Sequence, residues 1–354
     1  MSWDKSLAIP AWGFINALMK ELLAKLIDGQ GCSREEAYQA IGTIMRGEAT
    51  DAQIAGLLVA LRLRGETPDI VAGAAQAMRE ASTPVVCGHR DAVDTCGTGG
   101  DGLHTFNIST TAAFVTAGAG VPVAKHGNRG VSSRSGSADV LKELGVNLAV
   151  DSKIMGKCLD EIGIAFLFAP SLHPAMKHAI GPRKELGIRT LFNILGPLSN
   201  PAQTRRGVLG VYSSAMVDLV ANALADLDAV HMFVVHGDDG LDEITTTTTT
   251  EIAEVKHGTV QRFTLSPEEY GFDRAAIEDL QGGDPADNAE ITRSILSGAP
   301  GPMRDITLLN AAAAIHAGGK SKDLAEALGL AKRSIDSGAA LQKLEALVRM
   351  TNGE

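Results

Sequence analysis

The sequence predicts an α/β protein, a small all-helical N-terminal domain followed by a large α/β domain with a mainly parallel central sheet. Three observations carry that prediction. The first 80 or so residues show apolar spacing of helical period only, Ser82-Thr83-Pro84 then breaks the pattern, and strand-like and helix-like segments alternate from residue 92 onward. At 354 residues the chain is long enough for a sizeable core in each part.

In the helical part, Leu18-Leu22-Leu26 repeat at helical spacing, and Ser33-Arg34-Glu35-Glu36 is a capping-box start. Further helices are expected from Asp51 through Leu61 and from Pro68 to Ala81. The apolar stretch Leu7–Met19, interrupted by Pro10 and Asn16, reads as a first amphipathic helix rather than a leader. Strands are expected at 92–96, 121–125, 164–168, 206–212 and 230–236, and helices at 109–118, 137–144, 152–162 and 214–227. This alternation predicts parallel βαβ units. Residues 251–265 predict a hairpin, and helices fill 284–350. Residues 173–200 carry helix-like pieces and no strand, so they are expected to rejoin the helical domain. The expected domains are therefore 1–84 with 173–200, and 85–354 without that insert.

Composition narrows the class. Hydrophobic residues make up 45% and charged residues 21%, as in globular proteins, and the net charge of −10 weighs against nucleic-acid or anionic-membrane partners. Four widely spaced cysteines without a CxxC pair fit free thiols in a reducing compartment, so a cytoplasmic location is expected.

Three polar loops follow predicted strands. The first, Gly97-Thr98-Gly99-Gly100-Asp101-Gly102, spells the dinucleotide fingerprint. Leu103-His104-Thr105-Phe106 intervene before the helix expected to start at Ser109, however, and the next strand runs into Lys125 and His126 instead of an acid. A bare backbone leading into a helix N-terminus still suits phosphate. The second loop, Lys125 to Ser137, mixes basic and hydroxyl side chains. The third, His236 to Glu243, holds four acids in six residues, which can bind Mg²⁺ or can simply be a solvated turn. The threonine run Thr245 to Thr250 has high β propensity and predicts strand or sheet edge.

Together these loops, with Leu186-Gly187-Ile188-Arg189-Thr190 and Phe192-Asn193-Ile194-Leu195-Gly196-Pro197-Leu198, resemble the anthranilate phosphoribosyltransferase family across essentially the whole chain. The resemblance implies transfer of phosphoribosyl from phosphoribosyl pyrophosphate (PRPP) to the amine of anthranilate in tryptophan biosynthesis, by a homodimer paired through the helical domain. It implies PRPP binding by Gly97, Gly100, Asp101, Thr105, Asn107, Ile108, Ser109, Thr110, Lys125, His126, Gly127, Asn128, Arg129, Gly130, Val131, Ser132, Ser133 and Ser137. Gly97, Asn128 and Arg183 would bind anthranilate, Arg183 through its carboxylate. Ser109, Asp242 and Glu243 would hold Mg²⁺, two ions per monomer. The resemblance points to no acid/base dyad. The aromatic amine is neutral at pH 7, so His126 and His173 read better as structural histidines than as bases. A pyrimidine nucleoside phosphorylase of the same fold, and a non-catalytic nucleic-acid-binding relative, are the competing readings.

Overall fold

A computed structural model of the chain describes residues 11–130 and 134–353, with side chains from residue 17 onward in the first helix. The elements run α1 (Ala11–Ile27), α2 (Arg34–Met45), α3 (Asp51–Arg64), α4 (Pro68–Glu80), β1 (Val93–Gly97), α5 (Ile108–Gly118), β2 (Val123–Gly127), α6 (Ser137–Glu143), α7 (Ser152–Ile162) and β3 (Ile164–Phe168). They continue with α8 (Ala169–Leu172), α9 (Lys177–Leu186), α10 (Phe192–Leu198), β4 (Arg206–Gly210), α11 (Ala215–Asp226), β5 (His231–Gly237), β6 (Thr250–Lys256) and β7 (Thr259–Leu265). Four helices close the chain: α12 (Pro285–Leu296), α13 (Pro302–Ala317), α14 (Leu324–Asp336) and α15 (Ala339–Thr351). None of the described helices is long and apolar enough to cross a membrane. Residues 7–10, part of the expected first helix, lie outside the described residues.

The chain divides into two compact units, 1–82 with 173–195, and 83–172 with 196–354. In the smaller unit, local capping chemistry sets the helix starts. The Ser33 N–H donates to the Glu36 carboxylate at 2.8 Å while the Ser33 hydroxyl accepts from the Glu36 N–H, and Thr50 and Gln53 repeat the exchange at α3. Thr67 caps α4 ahead of Pro68, whose missing N–H costs nothing at a helix start. Gly73 lets α2 and α4 pack closely, since a Cβ there would stand 2.1 Å from the Arg34 carbonyl oxygen.

The larger unit is built on one seven-stranded sheet in the order β3-β2-β1-β4-β5-β6-β7. β1 to β5 are mutually parallel, and β6 and β7 add an antiparallel edge. Strand order reverses between β1 and β4, the kind of switch point where open α/β sheets open a crevice for ligands. α5 and α13 are buried almost all round, as befits apolar helices in the middle of a large core.

Two expectations change. Residues 196–200 belong to the larger unit rather than to the helical one. There the Asn200 amide donates to the Asp94 carboxylate at 2.7 Å and to the Ala124 carbonyl at 2.8 Å, which ties this segment to β1 and β2. Of the threonine run, only Thr250 lies in a strand, and Thr245 to Thr249 form a loop. Their hydroxyls take local acid partners: Thr245 donates to Asp239 at 2.6 Å, Thr247 also donates to Asp239, and Thr249 donates to Asp238. Side-chain hydrogen bonding of this kind competes with strand formation and overrides β propensity.

Candidate active site at the carboxyl edge of the sheet

The loops after β1, β2 and β5 all leave the same edge of the sheet. After β1 the chain needs backbone that ordinary residues avoid: Gly99, Gly100 and Gly102 have φ of 69°, 82° and 77°. Gly97 and Gly210 end the adjacent strands β1 and β4 in register and form a floor for the acidic loop. A Cβ on Gly97 would stand 2.2 Å from the Asp242 carboxylate, and one on Gly210 would stand 1.5 Å from the Asp242 carbonyl oxygen. Asp242 is thereby seated against bare backbone.

Two backbone donors meet this loop. The Gly99 N–H donates to the Asp242 carboxylate at 2.6 Å, and the Ser109 N–H, in the first turn of α5, donates to the Glu243 carboxylate at 3.1 Å. A negative charge is favoured at that helix end. Both acids are nevertheless held well above the usual carboxylate range, chiefly by burial and then by like charge. Asp101 raises Asp242, and Asp242 raises Glu243. Oxygen donors of two desolvated, mutually repelling carboxylates suit a hard divalent cation such as Mg²⁺.

Behind them lies a buried polar network. Lys125, only 4% exposed, donates to the Thr95 carbonyl and to the Ser109 hydroxyl at 3.4 Å. Burial pushes the Lys125 pKa down, against the opposing pull of Asp94, Cys96, Glu243 and Asp242. Asp94, 2% exposed, accepts from the His126 N–H at 3.1 Å and from Asn200, and burial raises it in turn.

The remaining expected residues fall into two groups. Asn107 joins the first loop to the second: its amide donates to the Ser135 carbonyl at 3.2 Å, and its oxygen accepts from Asn288 at 3.0 Å. Asn128 and Arg129 are exposed, and Arg129 reaches toward Asp139 at 3.7 Å and over the Phe168 ring. The Asp139 carboxylate accepts from the Gly130 and Gly136 N–H groups at 2.9 and 3.0 Å, and the Ser137 hydroxyl donates to the Asn128 carbonyl, closing the second loop on the start of α6. Gly127 lies under Ser137, where a Cβ would meet its hydroxyl at 2.2 Å. Thr105 bridges to Gln281. The side chains of Ile108 and Thr110 are buried, as is His126. Val131, Ser132 and Ser133 lie outside the described residues.

Within the smaller unit, Arg183 on α9 stacks its guanidinium 5.3 Å above the Phe192 ring. Burial pushes its pKa down, and among the described residues no carboxylate lies within ion-pair distance of it. His173 is 7% exposed.

Asp94, Asn200, Gly210 and Asn288 escape the sequence reading. Asp94 carried one usable signal: an acid inside an apolar strand must find partners elsewhere in the chain.

Comparison with known proteins agrees with this arrangement. Residues 20–82 match the glycosyl transferase family helical bundle domain, and residues 89–341 match the a/b domain of the same family. An anthranilate phosphoribosyltransferase of Desulforudis audaxviator is 56% identical over 334 residues, covering 94% of this chain and 96% of the relative. The crystal structure of anthranilate phosphoribosyltransferase from Thermus thermophilus is similar at TM-score 0.89 and 45% identity, over 94% of this chain and 99% of that one. The enzyme from Saccharomyces cerevisiae in complex with PRPP and Mg is similar at TM-score 0.87 and 30% identity, over 96% of this chain and 99% of that one.

Proposed function

The chain belongs to the anthranilate phosphoribosyltransferase family, and we propose that it transfers the phosphoribosyl group of PRPP to the amine of anthranilate, giving N-(5-phosphoribosyl)anthranilate and pyrophosphate. It is a transferase of glycosyltransferase type, in tryptophan biosynthesis. The observation that carries this reading is the Asp242–Glu243 pair, Asp242 buried and Glu243 half-buried, with Asp242 seated on Gly97 and Gly210 and the pair facing the glycine loop and the start of α5.

Asp242 and Glu243 would hold Mg²⁺, two ions per monomer, with the Ser109 hydroxyl beside them. When bound, Mg²⁺ supplies positive charge to the pyrophosphate as it departs. The positive-φ glycines bring bare backbone to the same edge, where, with the α5 first turn, it would let phosphate oxygens approach closely. Asn128, Arg129 and Ser137 would complete the PRPP site. Lys125 has its ammonium committed to Thr95 and Ser109, so it acts by field and by holding α5 in place. Arg183, desolvated and without a carboxylate partner among the described residues, would pair with the carboxylate of anthranilate. The neutral amine attacks without a strong base, so catalysis rests on positioning and electrostatics.

Two copies would pair through the helical unit, where Ile27 and Leu63, 75% and 81% exposed, leave apolar surface at the ends of α1 and α3. A cytoplasmic setting fits the four free cysteines.

The purified protein with Mg²⁺ and PRPP is expected to consume anthranilate fluorescence. In Arg183→Ala the KM for anthranilate should rise far more than the KM for PRPP. Phosphorolysis of thymidine or uridine without anthranilate consumption would move the assignment to a nucleoside phosphorylase, and equal effects on both KM values would remove Arg183 from its role.

A further inference from the structure

At the opposite edge of the same sheet, three potential metal ligands from three elements converge. His231 opens β5 and is 3% exposed, Glu254 lies on β6 opposite Phe233, and His316 lies near the end of α13. The His231 Nε2 is 2.6 Å from the Glu254 carboxylate, and the two imidazole rings stand edge to face with centroids 5.0 Å apart. One donor atom from each residue lies within 4.8 Å of the others. β5 rises for seven residues from His231 to Gly237, so roughly 20 Å of strand separates this cluster from the loop that carries Asp242.

We propose that His231, Glu254 and His316 form a binding site for a divalent transition-metal ion of the zinc type, clamping β5, β6 and α13 together. Three features support it. Two imidazoles and a carboxylate form a donor set that favours zinc-like ions over Mg²⁺, so this site and the acid pair select different metals. Tetrahedral zinc needs its donors about 3.4 Å apart, which the side chains reach from 4.8 Å by small torsional shifts. His316 is already oriented: its Nδ1 lies 3.2 Å from the Ser321 carbonyl and 3.1 Å from the Ser321 hydroxyl, which leaves Nε2 for a metal. Lys256, the nearby cation, is exposed and its charge is solvated.

The metal-free full-length protein, titrated with Co²⁺ alone, should develop the strong visible absorption of a four-coordinate ion, saturating at one equivalent and displaced by Zn²⁺. Glu254→Gln, which keeps a hydrogen bond to His231, should weaken Co²⁺ binding by about 100-fold with unchanged far-ultraviolet circular dichroism. X-ray absorption of the zinc-loaded wild-type protein should show imidazole scattering from two histidines. An oxygen-only shell, equal affinity in Glu254→Gln, or binding that disappears instead in Asp242→Asn/Glu243→Gln would each overturn the proposal.

Discussion

Within six residues, the loop after β5 carries two pairs of acids, and the fold treats them in opposite ways. Asp238 and Asp239 are met by hydroxyls and N–H groups: Thr245 and Thr247 donate to Asp239, Thr249 donates to Asp238, and the Leu241 N–H donates to Asp239 at 3.0 Å. Asp242 and Glu243 receive the Gly99 and Ser109 N–H groups, with the Ser109 hydroxyl also on Glu243, and they remain crowded by Asp101 and by each other, Asp242 buried and Glu243 half-buried. Identical side chains therefore stand in two environments, and the supply of neutral donors separates them. A carboxylate surrounded by hydroxyls organises a turn, whereas one left facing its own kind keeps a repulsion that a cation would relieve.

The largest effect that can break this comparison is on turnover. Asp242→Asn with Glu243→Gln should reduce Mg²⁺-dependent kcat by at least about 1000-fold, because charge stabilisation of the departing pyrophosphate is lost. Asp238→Asn with Asp239→Asn should keep most of kcat. Steady-state anthranilate consumption by both double variants decides it, and similar losses would dissolve the distinction.

The next effect concerns pH. Glu243 is pushed up to about 8 in the folded chain from 4.5. Between those values the folded state keeps a proton that the unfolded state has released, so metal-free stability should fall as pH rises. Differential scanning calorimetry without divalent ions should show Tm dropping across this window, and Mg²⁺ with PRPP should flatten the drop. A Tm that rises over the same range in the metal-free protein would contradict the uncompensated acid pair.

The smallest effect is structural. Thr247→Ala removes one donor from Asp239 and should cost about 1 kcal/mol in urea unfolding, with kcat nearly unchanged. A stability loss with a matching loss of kcat would tie the threonine loop to catalysis.

What could be read from sequence follows the same division between local and distant partners. The helix starts at Ser33 and Asp51, the five parallel strands and the hairpin depend on nearest-neighbour chemistry and periodicity, and the structure has them within one or two residues of expectation. That Ser109 and Glu243 come together is what the family resemblance implies, and the Ser109 N–H does meet the Glu243 carboxylate, whereas the seat of Asp242 on the glycine loop was not legible. The threonine run was not, since its hydroxyls reach acids six to eleven residues away that propensity ignores. Asn200 and Gly210 were not legible either. Their roles depend on Asp94, 106 residues earlier for Asn200, and on the backbone of Asp242.

The central claim is that Asp242 and Glu243, and not Asp238 and Asp239, seat the catalytic divalent ion. Mn²⁺, an octahedral oxygen-seeking substitute for Mg²⁺, can be followed by electron paramagnetic resonance with PRPP present. Asp238→Asn/Asp239→Asn should bind Mn²⁺ like the wild type, while Asp242→Asn/Glu243→Gln should leave it free in solution. Mn²⁺ retained by the second variant and released by the first would contradict that assignment.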